Sequence, residues 1–223
     1  MRNRYDEVVP TITKILEQKR RVNRRNIYLD GAFAFGVNIN VVARFRLREG
    51  MSLTAKQVSE IASGEVRQEC LDHAFRLLQQ RLHSRSELSR KLARREYGPT
   101  IIEGVLNDLE RLGYVDDARF AKTRALSAAQ NKHHGRRRAF VELIKSGVTD
   151  ATARLATQDV YEAHDSMAAA RQLAEKKTPS LRRLDPVTAR RRLVGMLQRR
   201  GYTYDEIRPV IDEVLGHHDV DDA

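Results

Sequence analysis

Along the C-terminal two thirds of the chain the apolar positions recur as a set. Leu88, Leu92, Ile102, Val105, Leu106 and Leu109 reappear 51 residues on as Ala139, Leu143, Ala153, Ala156, Thr157 and Val160. They reappear 54 residues further as Leu193, Leu197, Ile207, Val210, Ile211 and Val214. Seventeen of these eighteen positions are apolar, Thr157 being the exception. Within each copy the spacings of three and four residues are those of helices with one buried face. The offsets hold across two helices and the turn between them, which is the pattern of a repeated helical unit. Such a repeat builds a surface for a large partner sooner than a catalytic pocket.

Local punctuation fits this period. Ser84-Arg85-Ser86-Glu87, Thr100-Ile101-Ile102-Glu103 and Thr203-Tyr204-Asp205-Glu206 have the spacing of capping boxes. Asp116 and either Thr149 or Asp150 are good N-caps, and Asp185-Pro186 places proline at a first helical position. Gly113, Gly147 and Gly201 supply helix stops, with Tyr114 or Val115 packing back after Gly113. The predicted helices run from 66 to 81, 85 to 95 and 100 to 112, then 116 to 130, 136 to 145 and 150 to 162, then 166 to 177, 186 to 200 and 203 to 215. Pro209 falls too deep for a first turn, so a distortion is expected there.

The first 64 residues read differently. Ile12, Ile15 and Leu16 are spaced among polar residues, and Asp30-Gly31 between two short apolar runs predicts a hairpin with a type I′ turn. Phe33 and Phe35 alternate with Ala32 and Ala34, as in a half-buried strand. A short helix over 41–47, capped by Asn38 or Asn40 and ended by Gly50, precedes a second from Thr54 to about Ala62. The expected architecture is mainly α: three tandem three-helix repeats (65–114, 115–164 and 165–216) forming an elongated body. A small α/β module with an antiparallel β-hairpin (1–64) precedes them, and a short acidic tail (217–223) follows.

Composition narrows the function. The chain of 223 residues carries 41 Lys and Arg against 30 Asp and Glu, a formal charge of +11 that suggests a polyanionic partner, nucleic acid first. Cys70 is the only cysteine, which excludes an intramolecular disulfide and reads as a buried thiol. The pairs His133-His134 and His217-His218 lack partners at metal-ligand spacing, so no metal is expected and both read as loop residues. No apolar run approaches the roughly 18 residues of a membrane span, and the charged N-terminus lacks a signal-peptide core. The expectation is a cytoplasmic protein with no membrane contact. There is no phosphate-binding Gly-rich loop, no serine elbow and no His-Glu-x-x-His. Asp116-Asp117 is the one paired-carboxylate site, and helix capping explains it better than metal or nuclease chemistry. A non-enzyme without cofactor is expected.

The repeat offsets also carry charge. Arg85, Arg136 and Arg190 are equivalent, as are Arg94, Lys145 and Arg199. Arg137, Arg138, Arg191 and Arg192 surround them, with Arg90, Lys91, Arg95 and Arg200 nearby. Cations are favourable at helix C-termini, which accounts for the second set but not for the first, at helix starts. The first set therefore reads as a partner-binding set, and Arg85, Arg94, Arg136, Arg137, Lys145, Arg190, Arg191 and Arg199 are the candidate partner or DNA contacts. Three short helices with a tight turn also resemble helix-turn-helix readers, but no helix carries a base-reading constellation, so backbone contact fits better.

These residues resemble a known family. Arg81-Leu82-His83-Ser84-Arg85-Ser86-Glu87-Leu88 with Lys91-Leu92 looks like the opening signature of the RecX regulators of the RecA recombinase. Leu109, Leu112-Gly113-Tyr114-Val115-Asp116-Asp117 and Phe120-Ala121 match the family's most distinctive segment, in which Gly113, Tyr114, Asp116, Asp117 and Phe120 read as structural. Gly135, Leu143 and Gly147 are similar to its next block, and Arg199-Arg200-Gly201-Tyr202 with Ile207 and Val210 to its last. Ile12-Thr13-Lys14-Ile15, Asn26-Ile27-Tyr28-Leu29-Asp30-Gly31 and Leu47-Arg48-Glu49-Gly50 resemble the extension of longer members. One departure is the set Ala153, Ala156 and Thr157, smaller than its counterparts, which leaves open whether the middle repeat packs closely or loosely. The resemblance implies a tandem three-helix-repeat fold that binds RecA filaments on single-stranded DNA and inhibits strand exchange, ATP turnover and repressor cleavage, damping recombination and the SOS response; a monomer is expected. The alternatives are a direct, sequence-non-specific binder of free DNA and, third, an enzyme using Asp116-Asp117.

Overall fold

The computed structural model describes residues 9–216. The residues before them and the expected acidic tail, with His217-His218, lie outside the described residues. The chain forms two compact units: one of residues up to Gln80 with Ser89–Leu109, the other of Arg81–Leu88 with the residues from Glu110 onward.

In the first unit β1 (Ile12–Gln18), β2 (Arg21–Leu29) and β3 (Ala32–Asn38) form one antiparallel sheet in the order β1-β2-β3. Asp30 (φ 49°) and Gly31 (φ 86°) make the predicted tight turn, both at positive φ. The sheet buries Ile12, Ile27 and Val37 against Val41, Leu47, Leu53 and Ile61. The two phenylalanines of β3 do not share a face. Ile27 pairs with Phe35 and Tyr28 with Phe33, so Ala34 is a bulge and the alternation inverts across it. Phe35 packs on the core, whereas Phe33 is 59% exposed and lies edge-on to Tyr28 at 5.9 Å.

Helix α1 (Ile39–Arg44) is capped by Asn38, whose side chain accepts from the Asn40 amide. The two helices expected over 54–62 and 66–81 are one helix, α2 (Ala55–Gln80), opened by reciprocal bonds between Thr54 and Gln57. Gly64 does not break it. A Cβ there would lie 2.6 Å from the Phe45 ring, so the glycine admits an aromatic ring to the helix surface. Cys70 is buried on α2, and burial pushes its thiol up to about 11. Helices α3 (Arg85–Ala93) and α4 (Pro99–Arg111) follow. Thr100 does not cap α4. Proline at the first helical position starts the helix earlier, and the Ile102 amide bonds to the Gly98 carbonyl at 3.0 Å.

The second unit continues with α5 (Asp117–Gln130), α6 (Arg136–Lys145), α7 (Asp150–Glu162), α8 (Ser166–Lys177), α9 (Pro186–Arg200) and α10 (Tyr204–Leu215). A 3-10 turn, Thr178–Leu181, links α8 to the α9 loop. Asp116, Thr149 and Asp185 cap as expected, and the Thr203–Glu206 capping box is complete. Helix α10 runs through Pro209 without interruption. Of the eighteen repeating positions seventeen are buried and Val214 is half-buried. The small residues of the middle repeat have small partners: Ala121, Ala125, Ala128 and Ala129 of α5 are buried beside Ala153, Ala156 and Val160 of α7. Alanines on both helices let the backbones approach, so this repeat packs closely. The Thr157 hydroxyl donates to the Ala153 carbonyl at 2.8 Å and so needs no further partner inside the core.

Candidate partner-binding surface

The repeat boundaries position the basic residues. Ser84 Oγ, at the start of α3, donates to the Ser146 carbonyl, at the end of α6, at 2.6 Å. Gly135 N, at the start of α6, donates to the Arg200 carbonyl, at the end of α9, at 2.9 Å. Ser84 and Gly135 are 51 residues apart and Ser146 and Arg200 are 54 apart, so equivalent positions meet at both boundaries, through a side-chain hydroxyl at the first and a backbone amide at the second. Both rest on glycines in the left-handed region. A Cβ on Gly147 (φ 82°) would meet Ser86 Cβ at 2.3 Å, and one on Gly201 (φ 91°) would meet Arg138 Cβ at 2.4 Å. The C-terminal end of one second helix thus docks on the N-terminal end of the second helix before it.

The two basic sets therefore meet. Lys145 lies beside Ser146 at the first boundary, with Arg85 on the facing helix start. At the second, Arg138 Nη1 donates to the Arg199 carbonyl at 2.9 Å and Arg200 Nη1 to the Lys132 carbonyl at 2.7 Å. The Tyr202 hydroxyl adds a bond to the His133 carbonyl at 3.1 Å, and burial pushes that phenol up to about 12. Below the boundary the Tyr161 hydroxyl donates to the His134 carbonyl at 2.6 Å. Burial, with Arg138 beside it, holds the His134 imidazole below its ordinary pKa. Burial works against ionisation of Glu142, but the Arg138 hydrogen bond and the charges of His134 and Lys132 outweigh it and hold the carboxyl low.

The candidate contacts do not all have the same surroundings. Arg85 pairs with Glu110 at 2.5 Å and Arg190 pairs with Asp212, each reaching the third helix of its own repeat. Those ion pairs account for cations at the starts of α3 and α9. Arg136 has no equivalent: the aligned positions on α7 are Gln158 and Tyr161. Arg136, Arg137, Arg191, Arg192 and Arg199 are exposed, and none has a carboxylate within ion-pair distance among the described residues. Arg191, Arg192 and Arg199 line a cleft of about 680 Å³ with Lys177, Ser180 and Met196, and its lining holds no carboxylate. Arg199 lies across Gly195, with one guanidinium nitrogen 3.3 Å from where a Cβ would stand. Lys177 escaped the sequence reading, although Lys176-Lys177 at the end of a predicted helix was the available signal. Arg94 is exposed in the first unit.

The signature segment is mostly scaffold. Gly113 (φ 75°) turns the chain after α4, and Val115 and Phe120 are buried. The Asp116 carboxylate takes the Arg119 amide at 2.9 Å, and that of Asp117 takes the Arg85 amide at 2.8 Å. The paired acids thus serve two different helix starts. Leu112 and Tyr114, by contrast, are 57% and 50% exposed, an apolar patch in the same segment. No helix of the described residues is long and apolar enough to cross a membrane.

Comparison with known proteins is consistent along the chain. Residues 10–54 match the Regulatory protein RecX N-terminal domain, 70–109 the first RecX three-helix domain and 164–211 the third. Regulatory protein RecX of Bacillus subtilis is 29% identical over 213 residues, covering 96% of this chain and 80% of its own length. That of Pelodictyon phaeoclathratiforme is 35% identical over 138 residues, covering 62% of this chain and 84% of its own. A crystal structure of regulatory protein RecX superposes with a TM-score of 0.76 at 25% identity, covering 92% of this chain and all (100%) of that one. The structure of RecX from Lactobacillus salivarius gives 0.59 at 20% identity, covering 68% and 97%. Matched by its N-terminal module, by two of its three-helix domains and by a relative over most of that relative's length, the chain belongs to the RecX family of regulatory proteins.

Proposed function

We propose that this chain is a non-enzymatic, monomeric cytoplasmic regulator that binds RecA filaments on single-stranded DNA. It inhibits strand exchange, ATP hydrolysis and repressor cleavage, and so damps recombination and the SOS response. The observation that carries the reading is the exposed cations of α6 and α9: five arginines without carboxylate partners among the described residues, three of them lining a cleft with Lys177. A nucleoprotein filament presents negative charge to such a surface over a long contact. The exposed pair Leu112 and Tyr114 gives the same unit an apolar contact suited to protein.

The test uses charge reversal where no internal ion pair is broken. Arg136→Glu, Arg137→Glu, Arg191→Glu and Arg199→Glu together raise the concentration needed to inhibit DNA-dependent ATP hydrolysis by the recombinase by about tenfold or more, with circular dichroism unchanged. Unaltered inhibition by the folded variant refutes the role of this surface. The second reading, a direct non-specific DNA binder, draws on the net charge of +11 and the three-helix units. It requires tight binding to naked duplex DNA with a steep salt dependence. Weak binding to bare duplex beside strong binding to coated filaments decides for the regulator.

A further inference from the structure

The first unit holds a cleft of about 960 Å³ that belongs to neither the repeat pattern nor the surface described above. It lies between the β1–β2 turn and α2, with Arg20, Arg21 and Arg24 on one side and Arg76, Phe75 and Tyr97 on the other. Its acids are already engaged. Arg24 Nη1 holds Glu65 at 2.8 Å and Glu69 at 3.2 Å, while Asp72 accepts from Asn38 Nδ2 at 3.1 Å and Gln68 Nε2 at 2.7 Å. Arg20, Arg21 and Arg76 have no carboxylate within ion-pair distance among the described residues; Arg76 makes only a long bond to the Asp72 backbone carbonyl. The lining therefore carries four arginines against Glu69 and Asp72, an excess of positive charge, and Arg20, Arg21 and Arg76 are the three without an ion pair.

The field continues past the cleft. Burial lowers the pKa of His73, and the charges of Arg76, Arg95 and Lys91 lower it further. The Tyr97 ring stands edge-on to His73 at 6.2 Å, which fixes one aromatic at the cleft wall. Spaced guanidinium groups facing half-buried rings suit a phosphodiester backbone whose bases are free to stack. A duplex keeps its base faces covered and leaves the rings without a role.

We propose that this cleft binds single-stranded nucleic acid, with Arg20, Arg21 and Arg76 on phosphates and Phe75 and Tyr97 against unstacked bases. The site is independent of the recombinase contact proposed above: it needs no filament, and it lies in the other unit. It gives the N-terminal module a task of its own.

The test is fluorescence anisotropy of a labelled oligothymidylate of about 20 nucleotides with the full chain. Three phosphate contacts give a slope of log K against log salt of about −2. Arg20→Ala, Arg21→Ala and Arg76→Ala together flatten that slope and weaken binding by about tenfold or more, and Tyr97→Leu weakens it by about fivefold or more. Lys122→Ala with Arg208→Ala, exposed cations outside both surfaces, leaves oligonucleotide binding unchanged. Equal binding by the folded triple variant, tighter binding to duplex, or equal binding to polyglutamate overturns the proposal. A second measurement does not depend on variants folding: photo-crosslinking of iodouridine-substituted RNA to the unmodified chain. Adducts at Phe75 or Tyr97 support the site, and adducts confined to residues beyond Glu110 overturn it. Recombinase inhibition read on the same variants separates the two proposals, because each fails on a different set.

Discussion

Gly135→Ala isolates the repeat boundary from backbone strain. Gly135 precedes α6 with φ −69° and ψ 161°, a conformation open to any residue. On conformational grounds alone the substitution would stabilise by about 0.4–1 kcal/mol, because alanine has less freedom to lose on folding. The surroundings oppose this. The new Cβ would stand 2.4 Å from the Gly201 carbonyl oxygen and 2.6 Å from the Tyr202 nitrogen, both backbone atoms that cannot rotate aside. Overpacking of this kind costs about 1–3 kcal/mol. Separating the two segments also lengthens the 2.9 Å bond from Gly135 N to the Arg200 carbonyl, worth about 1 kcal/mol, and strains its neighbours. The expected net destabilisation is about 2–3 kcal/mol, measured by urea unfolding followed by circular dichroism. Gly113→Ala is the control: φ is 75° with nothing within 4 Å, so only the left-handed cost of about 1 kcal/mol applies. If Gly135→Ala proves as stable as the parent, the close approach of the two helix ends is wrong.

Three further outcomes follow from the same geometry. Gly64→Ala places a methyl 2.6 Å from the Phe45 ring and lowers stability by about 1–3 kcal/mol; a smaller residue at 45 in the same chain, Phe45→Leu, recovers part of the loss in urea unfolding. Asp117→Ala removes the carboxylate from the Arg85 amide and costs about 1 kcal/mol, whereas Asp117→Asn retains much of the bond; equal stability of both variants would argue against the cap. His134 is held below its ordinary value of 6.5, so as pH falls past 6.5 the unfolded chain binds the proton first and stability declines. His73 adds to the same window, and Glu142, held below 4.5, adds a further loss below pH 4.5. Thermal melts of His134→Gln against the parent between pH 7.5 and 5 should show a smaller decline in the variant, and parallel curves would refute the assignment.

What the sequence discloses is local or periodic. Asp116, Thr149, Asp185 and the Thr203–Glu206 box are legible because each cap acts within a single turn. The Asp30-Gly31 hairpin is legible for the same reason, and the repeat offsets are legible because burial imposes a period. What fails depends on partners distant along the chain. The expected gap between the helices over 54–62 and 66–81 closes around Gly64, whose partner Phe45 lies nineteen residues earlier. The bulge at Ala34 carries no residue signal, since β2 rather than the composition of β3 decides the pairing. Arg85 and Arg190 read as free surface cations because Glu110 and Asp212 lie 25 and 22 residues away, on another helix.

The same distance effect hides the candidate surface. Sequence places Arg136 at a helix start and Arg199 at a helix end, 63 residues apart, and assigns them to separate sets. They belong to one cluster because Gly135 and Gly201 let two backbones touch. Glycine spacing and charge are therefore coupled in this chain: the residues that join the repeats also determine where the arginines stand. If the cluster engages the filament, Gly135→Ala weakens inhibition of recombinase ATP hydrolysis with no change of charge, in step with its loss of stability. Arg136→Glu with Arg137→Glu weakens inhibition with stability retained. A Gly135→Ala protein that is destabilised yet inhibits as the parent does would separate the two, and would move the contact away from this boundary towards the exposed Leu112 and Tyr114.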